Sequence, residues 1–236
     1  PLMILCNPQN PAGNIWDYET LARIGALCKQ YDVIVVSDEI HCDLTKPGTE
    51  YIPFASVDDT CRDISVTCIA PTKTFNLAGL QTAAVYAENS ILHHRMWRQL
   101  NTDEVAEPNA FAIQATIAAF QYGEEWLDEL REYVEKNKQY VTEFLQEKIP
   151  LIHPVAGDAT YLMWLDCRKI TESGRQFVKF IRKTSGLYVS GGNQYGRGGE
   201  GFLRVNVATS KLVVEDGMQR LYESVDAWLK EEKISK

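Results

Sequence analysis

Short apolar runs alternate with polar turns along the first third of the chain. Strands are predicted at 2–6, 33–36, 64–69 and 82–87, and Asp17 is placed to cap a helix between the first two. The second run is rich in β-branched residues, which is typical of a parallel strand covered on both faces. This order of elements predicts an α/β layer.

The pattern changes towards the second half of the chain. Residues 90 to about 148 are predicted to be mostly helical, with interruptions at Pro108 and Gly123. Later strands are predicted at 159–165, 187–190 and 202–207, and later helices at 174–183 and 212–229. We therefore predict a large α/β domain at residues 1–125 and a smaller α+β domain at residues 126–236.

Composition narrows the classes of function. The formal net charge of −8 argues against binding to nucleic-acid phosphates. No apolar run approaches the roughly 20 residues of a membrane helix, so no membrane partner is expected. The six cysteines show neither C-x-x-C nor metal-ligand spacing, which predicts buried thiols in a reducing cytoplasm and no metal site.

An acidic residue and a lysine stand at corresponding points of the predicted sheet. Asp38 follows the second strand, and Lys73 lies in the turn after the third. Right-handed crossovers bring such strand ends to one edge, where we expect Asp38, Lys73 and Asn10 of the first turn to meet. A lysine that holds an aldehyde as a Schiff base, and an acid that keeps a ring nitrogen protonated, are what pyridoxal phosphate (PLP) chemistry needs. The alternative for Lys73 is a solvated surface lysine.

Two further polar residues are candidates for binding. Asn10 lies in an Asn-Pro-Ala-Gly turn, where its amide can hydrogen-bond a cofactor hydroxyl, although turns favour asparagine anyway. Arg204 stands in an otherwise apolar strand, and a half-buried arginine is costly unless paired. Its partner is either a substrate carboxylate, which fits the guanidinium fork, or one of the protein's own acidic residues.

The segment 191–201 is rich in glycine and invites comparison with phosphate-binding loops. It lacks the Lys-Ser/Thr pair of such a loop, and a strand rather than a helix follows it. We expect a flexible loop near Arg204 instead.

Four motifs carry a resemblance to a known family. They are Asn-Pro-Gln-Asn-Pro-Ala-Gly at 7–13, Asp-Glu-Ile-His at 38–41, Pro-Thr-Lys-Thr-Phe-Asn at 71–76 and Phe-Leu-Arg-Val-Asn at 202–206. In this order they resemble fold-type I PLP-dependent enzymes, the aminotransferase class I/II superfamily. The context of the second and third motifs looks most like the cystathionine β-lyase (cysteine-S-conjugate β-lyase) branch. The resemblance covers essentially the whole chain.

The resemblance implies a role for each matching residue. Lys73 would bind the cofactor covalently and act as base on the substrate α-carbon. Asp38 would pair with the pyridine nitrogen, and Asn10 would bond the ring hydroxyl. His41 stands near that hydroxyl, where aminotransferases usually have a tyrosine. Arg204 would bind the substrate carboxylate.

The chain departs from the family pattern in two ways. Gln81 stands where many aminotransferases have an arginine for the cofactor phosphate, which fits the lyase branch. The resemblance implies that Thr72, or also the Thr74 hydroxyl, lies near the phosphate, and it leaves the other phosphate contacts unidentified. Family members are also substantially longer, with further cofactor-binding residues in an N-terminal half. We therefore expect an N-terminally incomplete fold-type I large domain, which on its own binds PLP weakly and shows little or no activity. The complete enzyme would be a homodimer.

The implied activity is α,β-elimination on a small amino-acid substrate. A PLP-dependent carbon–sulfur β-lyase would cleave cystathionine, or related S-substituted cysteines, to a thiol, pyruvate and ammonia. Because the motifs are shared, an aminotransferase is one alternative. A non-catalytic fragment or regulatory module on the same fold is another.

Overall fold

The computed structural model describes residues 1–234, which form two compact units. The first unit consists of Pro1–Asn10, Asn14–Arg131 and Asp158–Thr160. The second consists of Pro11–Gly13, Glu132–Gly157 and the chain from Tyr161 onward. The division thus falls inside the helix Glu124–Lys148, and the boundary predicted near residue 125 lies at the start of that helix.

The first unit contains a four-stranded sheet in the order β1–β2–β3–β4. Its first three strands are parallel, and β4 runs antiparallel to β3. The strands are β1 (Leu2–Cys6), β2 (Ile34–Asp38), β3 (Ser65–Ile69) and β4 (Ala84–Tyr86). The first and last residue of each strand lie within two positions of the predicted ones, and the predicted α/β layer is confirmed.

Helices connect and follow these strands. The first begins as predicted, because Asp17 Oδ1 accepts a hydrogen bond from the Thr20 N–H at 2.7 Å. Pro108 lies between two of the helices, and Gly123 separates the last two, also as predicted. The helices are α1 (Tyr18–Gln30), α2 (Asp59–Asp63), α3 (Pro71–Thr74), α4 (Ser90–Thr102), α5 (Ala112–Tyr122) and α6 (Glu124–Lys148).

The sheet of the first unit is covered unevenly. Leu5 and Val35 are buried against α1 and α2. On the opposite face, the register pairs Ile4 with Val36, and Ile4 is 70% exposed while Val36 is only half-buried. The predicted covering of both faces is therefore incomplete within residues 1–234. A short apolar run does not by itself distinguish one covered face from two.

The second unit is built on an antiparallel sheet in the order β5–β6–β8–β7. Two helices accompany it, and the first of them packs against the strand Phe202–Asn206 and against the second helix. The buried residues of the sheet and the helices include Leu165, Leu203, Phe177, Ile181 and Leu221. The elements are β5 (His153–Pro154), β6 (Leu162–Asp166), α7 (Gly174–Ser185), β7 (Ser190–Gly191), β8 (Phe202–Asn206) and α8 (Lys211–Ile234).

Two strands of the second unit differ from the prediction. The strand expected at 159–165 begins only at Leu162, since Thr160 adopts a left-handed backbone with φ of 64°. The strand expected at 187–190 is reduced to the two residues of β7, and β5 was not predicted.

The glycine-rich segment 191–201, expected to be a flexible loop, is closely packed at Gly192 and Gly199, whereas nothing lies near an added Cβ at Gly196 or Gly198. It forms two 3₁₀ turns, Gly192–Tyr195 and Arg197–Gly199. A Cβ added to Gly192 would overlap the carbonyl oxygen of Gly199 and the ring of Trp164. Glycine is required here because the two backbone segments touch.

Within residues 1–234, every helix is too short or too polar to cross a bilayer.

Candidate active site

The carboxyl ends of the parallel strands fix the position of Asp38. The register pairs Asp38 with Cys6 of β1 and with Cys68 of β3, so these three side chains share one face of the sheet. The Asn7 N–H donates to the Asp38 carbonyl at 3.1 Å, and Asp38 Oδ1 accepts from the Ile40 N–H at 3.3 Å. The half-buried carboxylate of Asp38 is thereby held at the carboxyl end of β2.

The turn after β1 keeps Asn10 close to the same edge. The Asn10 N–H donates to Cys6 Sγ at 3.5 Å, and the Gln9 N–H donates to the Asn14 carbonyl at 2.9 Å. Asn10 is half-buried. Its amide therefore lies near the carboxyl end of β1, the strand next to the one that carries Asp38.

Lys73 lies in the single helical turn α3, directly after β3. Pro71 takes the first helical position, where a missing N–H costs nothing, and the Phe75 N–H closes the turn on the Pro71 carbonyl at 2.9 Å. The Lys73 side chain is half-buried rather than fully solvated. Among residues 1–234 it has no hydrogen bond and no ion pair, so its amine is available for chemistry.

The residues next to the lysine anchor this turn on two sides. Thr74 is fully buried, and its hydroxyl donates to Asp43 Oδ2 at 2.9 Å. The Phe75 ring lies edge-on to Phe120 at 5.3 Å and contacts Trp126 at 5.8 Å. The lysine turn is therefore tied both to the loop after β2 and to the helices α5 and α6.

Thr72 and Gln81 are the residues at which a contact to the cofactor phosphate was considered. Thr72 is half-buried, and Gln81 is exposed with a left-handed backbone, φ of 48°. Gln81 and Pro71 line a cavity of about 490 Å³ beside the lysine turn. The residues described around this cavity are mostly apolar and include no lysine or arginine. The cavity thus brings no positive charge to a phosphate.

The acid that follows β2 lies in a hydrogen-bond network that sequence reasoning missed. Glu39 is only 2% exposed, and its Oε1 accepts from the Ser37 hydroxyl at 2.8 Å and from the Phe54 N–H at 3.1 Å. The neighbouring Tyr51 hydroxyl donates to the Asn7 carbonyl at 2.8 Å. Burial raises the pKa of Glu39, and the hydrogen bonds that it accepts oppose part of that rise.

His41 and three thiols lie around the strand ends. His41 is buried at 2% exposure in the loop after β2. Burial raises the pKa of Cys42 to about 12, with the charge of Asp43 adding to the rise. Burial also raises the pKa of Cys6 and of Cys68, and the charge of Asp38 adds to each. These sulfurs are therefore protonated thiols at neutral pH, not nucleophiles.

Arg204 belongs to the second unit and is surrounded by aromatic rings. On the sheet it pairs with Trp164 of β6 and Ser190 of β7. Its guanidinium carbon lies 5.1 Å from the centroid of the Tyr195 ring, and Trp164 packs edge-on against that ring at 5.5 Å. Burial raises the pKa of Tyr161, and the charge of Arg204 opposes that rise. The guanidinium is thus oriented by its neighbours.

The first unit carries three groups of the kinds that the ring of PLP needs, each just after or at the carboxyl end of a parallel strand. They are the amine of Lys73, the carboxylate of Asp38 and the amide of Asn10. Asn7 Nδ2 is buried and lacks a hydrogen-bond partner within residues 1–234, so a further buried donor is available there. Among its described lining residues, the cavity beside the lysine turn offers no lysine or arginine to a phosphate.

The family sequence model for aminotransferase class I and II matches residues 1–221 of this chain. The chain belongs to this family, and the predicted fold-type I architecture is confirmed.

Relatives with known names agree with the predicted branch. Cystathionine β-lyase PatB of Bacillus subtilis (strain 168) is 42% identical over 220 residues, covering 93% of this chain and 57% of that protein. Protein MalY of Escherichia coli (strain K12) is 31% identical over 227 residues, covering 96% and 57%. This chain therefore spans a little more than half the length of these relatives.

Solved structures show the same likeness. Cystalysin from Treponema denticola, which contains a pyridoxal 5'-phosphate cofactor, matches with a TM-score of 0.92 and 28% identity, covering 95% of this chain and 58% of that one. The PLP-bound C–S lyase from Staphylococcus hominis matches with a TM-score of 0.85 and 33% identity, covering 95% and 58%. The predicted resemblance to the lyase branch is confirmed by these matches.

Proposed function

We propose that this chain carries the catalytic lysine of a PLP-dependent carbon–sulfur β-lyase. The enzyme would convert cystathionine or a related S-substituted cysteine, with water, into a thiol, pyruvate and ammonia. The observation that carries the proposal is Lys73, a half-buried amine without a partner among residues 1–234, on an anchored turn of the unit that also holds Asp38. The C–S lyase names of its relatives support the reaction type.

Each candidate site residue has a defined task in the proposed reaction. PLP, when bound, stabilises negative charge at the substrate α-carbon. Lys73 Nζ removes the α-proton, and Asp38 keeps the ring nitrogen protonated. Asn10 donates to the ring hydroxyl, with His41 near that hydroxyl. Arg204 binds the substrate carboxylate through its guanidinium fork.

The contact to the cofactor phosphate is the least determined part of the scheme. Thr72 offers a hydroxyl next to the lysine, and Gln81 replaces the arginine of many aminotransferases. We propose Thr72 as one phosphate ligand.

The same residues also fit an aminotransferase, which the family includes by name. An aminotransferase returns the proton to the cofactor and needs a keto acid as acceptor, whereas a β-lyase expels the thiol and needs none. The presence of His41 and Gln81 in a lyase-like context favours elimination. A non-catalytic module is the other alternative, and it predicts no turnover of either kind.

We further propose a cytoplasmic homodimer that acts on a small amino-acid substrate. The six free thiols are consistent with a reducing compartment. The net charge of −8 opposes a nucleic-acid partner.

The test is pyruvate release from cystathionine with PLP present and no keto acid added. We expect release by the native protein, its loss in Lys73→Ala, and its retention in Lys179→Ala, a control on the exposed face of α7. Turnover that requires a keto acid would favour the aminotransferase instead. Retained turnover in Lys73→Ala would contradict the catalytic role of Lys73.

The polypeptide used in this assay matters, because the chain spans about 57% of its curated relatives. An intact mass of the native protein shows whether further polypeptide accompanies these 236 residues. For the 236 residues alone we expect weak PLP binding and little or no activity.

A further inference from the structure

The side chain of Thr74 is fixed more firmly than that of Lys73, its neighbour in α3. Thr74 is fully buried, and its hydroxyl donates to Asp43 Oδ2 at 2.9 Å. Lys73 is half-buried and has no partner among residues 1–234. A hydroxyl has one hydrogen to donate. The Thr74 hydroxyl therefore serves Asp43 and does not offer that hydrogen to a cofactor phosphate, the role that the family resemblance suggested for it.

Asp43 lies on a loop whose next two residues are held in place. The Thr160 N–H donates to the Leu44 carbonyl at 2.7 Å. The guanidinium of Arg131 donates to the Thr45 carbonyl at 2.9 Å and to the Thr45 hydroxyl at 2.7 Å. Leu44 and Thr45 are both buried, and all of these residues belong to the first unit. Asp43 thus presents its carboxylate to the lysine turn from a fixed support.

The geometry of a helical turn carries this constraint to the lysine. Successive side chains of a helix point about 100° apart, and successive Cα atoms lie about 3.8 Å apart. Fixing the hydroxyl of Thr74 therefore also fixes the direction in which the side chain of Lys73 leaves the turn. The ring of Phe75 contacts Phe120 as a further anchor. Apolar contact is non-directional, however, whereas a hydrogen bond has a preferred distance and angle.

We propose that Asp43 is a positioning residue for Lys73, and that it acts through its hydrogen bond to Thr74. This inference rests on the proposed function, in which Lys73 Nζ removes the substrate α-proton. Proton transfer requires the base to lie within hydrogen-bond reach of the proton. A misplacement of about 1 Å can cost a factor of roughly 10² in rate. Asp43 thus controls the rate of proton removal without touching the substrate.

The first test is backbone hydrogen exchange in the native protein freed of PLP, followed by mass spectrometry of peptides. The Phe75 N–H donates to the Pro71 carbonyl at 2.9 Å, and the Leu77 N–H donates to the Thr72 carbonyl at 3.1 Å. Thr74→Val keeps the size of the side chain and removes its hydrogen bond. We expect these two N–H groups to exchange roughly tenfold to a hundredfold faster, as the loss of a hydrogen bond to a charged group allows. Exchange in β6 should be unchanged.

Three further variants separate a local effect from general destabilisation. Asp43→Ala removes the same bond from a half-buried position, and it should reproduce the local increase even where Thr74→Val fails to fold. Thr74→Ser loses a buried methyl but keeps the hydroxyl, so exchange at the two N–H groups should stay within about twofold of the unaltered protein.

Thr142→Val is the matched control, because the Thr142 hydroxyl donates to the Lys138 carbonyl at 2.9 Å in α6, away from the lysine turn. It should leave exchange in the turn unchanged. An increase in Thr74→Ser and Thr142→Val as large as that in Asp43→Ala, or no increase in any variant, would overturn the proposal.

The second test separates kcat from KM in the pyruvate assay. We expect Thr74→Val and Asp43→Ala each to lower kcat roughly tenfold to a hundredfold while KM stays within about twofold, because the base is displaced and Arg204 is not. Thr74→Ser and Asp43→Asn should keep a kcat close to that of the unaltered enzyme. The serine hydroxyl still donates, and the asparagine oxygen still accepts. A rise of KM without a loss of kcat would contradict positioning.

The double variant Asp43→Ala/Thr74→Val tests whether the two residues act through one bond. Both single variants remove the same hydrogen bond, so the double variant should lose no more kcat than the more impaired single variant. Losses that multiply would overturn the proposal. The exchange test needs neither cofactor nor turnover. Absence of turnover in the unaltered protein would therefore count against the β-lyase assignment, whereas unchanged exchange in Asp43→Ala would count against the positioning role alone.

Discussion

At the scale of single residues, Arg204 shows how neighbours can fix a charged side chain in advance. Its guanidinium lies over the Tyr195 ring at 5.1 Å. Replacing Tyr195 by leucine removes an attraction of about 0.5–2 kcal/mol. We expect the KM for the amino-acid substrate to rise roughly twofold to thirtyfold with little change in kcat, because carboxylate binding is weakened. Steady-state kinetics of Tyr195→Leu checks this.

Tyr195→Phe is the control for that prediction, because it keeps the ring and loses only the hydroxyl. It should retain a KM close to that of the unaltered enzyme. A similar loss of kcat in both variants, without a rise of KM confined to leucine, would show that Tyr195 does not orient Arg204.

Some candidate residues could be predicted from the sequence, and others could not. Lys73 and Asp38 stand out because each follows directly on an apolar strand, a signal that is local. The hydrogen bond from the Phe54 N–H to Glu39 spans fifteen positions along the chain and depends on how the loop folds back. No periodicity or spacing signals it, and an acid pair at a strand end looks the same whether or not one member is buried.

At the scale of elements, the glycine-rich segment owes its shape to the absence of side chains. Gly192→Ala would place a Cβ against the Gly199 carbonyl and the Trp164 ring, neither of which can move away cheaply. We expect a loss of roughly 1–3 kcal/mol or more in the free energy of unfolding, measured by urea denaturation.

Gly198→Ala is the matched control, because nothing lies within 4 Å of the added Cβ. It should change stability by less than about 0.5 kcal/mol. Equal stability of the two variants would mean that the packing of this segment is not the source of its order.

The elements themselves were mostly predictable. The strands of the first unit carry continuous apolar runs, and the Asp17 cap marks a helix start, so both are visible locally. The two-residue strands β5 and β7 are too short to give a pattern and exist only because neighbouring strands pair with them. The packed form of segment 191–201 depends on distant residues, and its glycines alone suggest flexibility.

At the scale of the whole molecule, large apolar side chains remain exposed in the first unit. Ile4 of β1 is 70% exposed, and Ile113 and Phe120 of α5 are 56% and 50% exposed. Ile113 and Phe120 are seven positions apart and so share one face of α5, and exposed apolar surface of this kind favours association. We expect these 236 residues on their own to self-associate with rising concentration, measured by sedimentation velocity.

A charge on this surface should reduce the association. Ile113→Glu is the test variant, and Leu212→Glu is the control, because Leu212 is 77% exposed but lies in the second unit. Monomeric behaviour of the unaltered chain over the whole concentration range, or an equal effect of both variants, would contradict the prediction.

The central claim is that Lys73 binds the cofactor, and one measurement tests it most directly. The native protein is incubated with PLP, reduced with borohydride and digested, and the modified peptide is identified by mass spectrometry. We expect one phosphopyridoxyl group, on Lys73, and no such group in Lys73→Ala. Modification spread over exposed lysines, or confined to another lysine, would contradict the account.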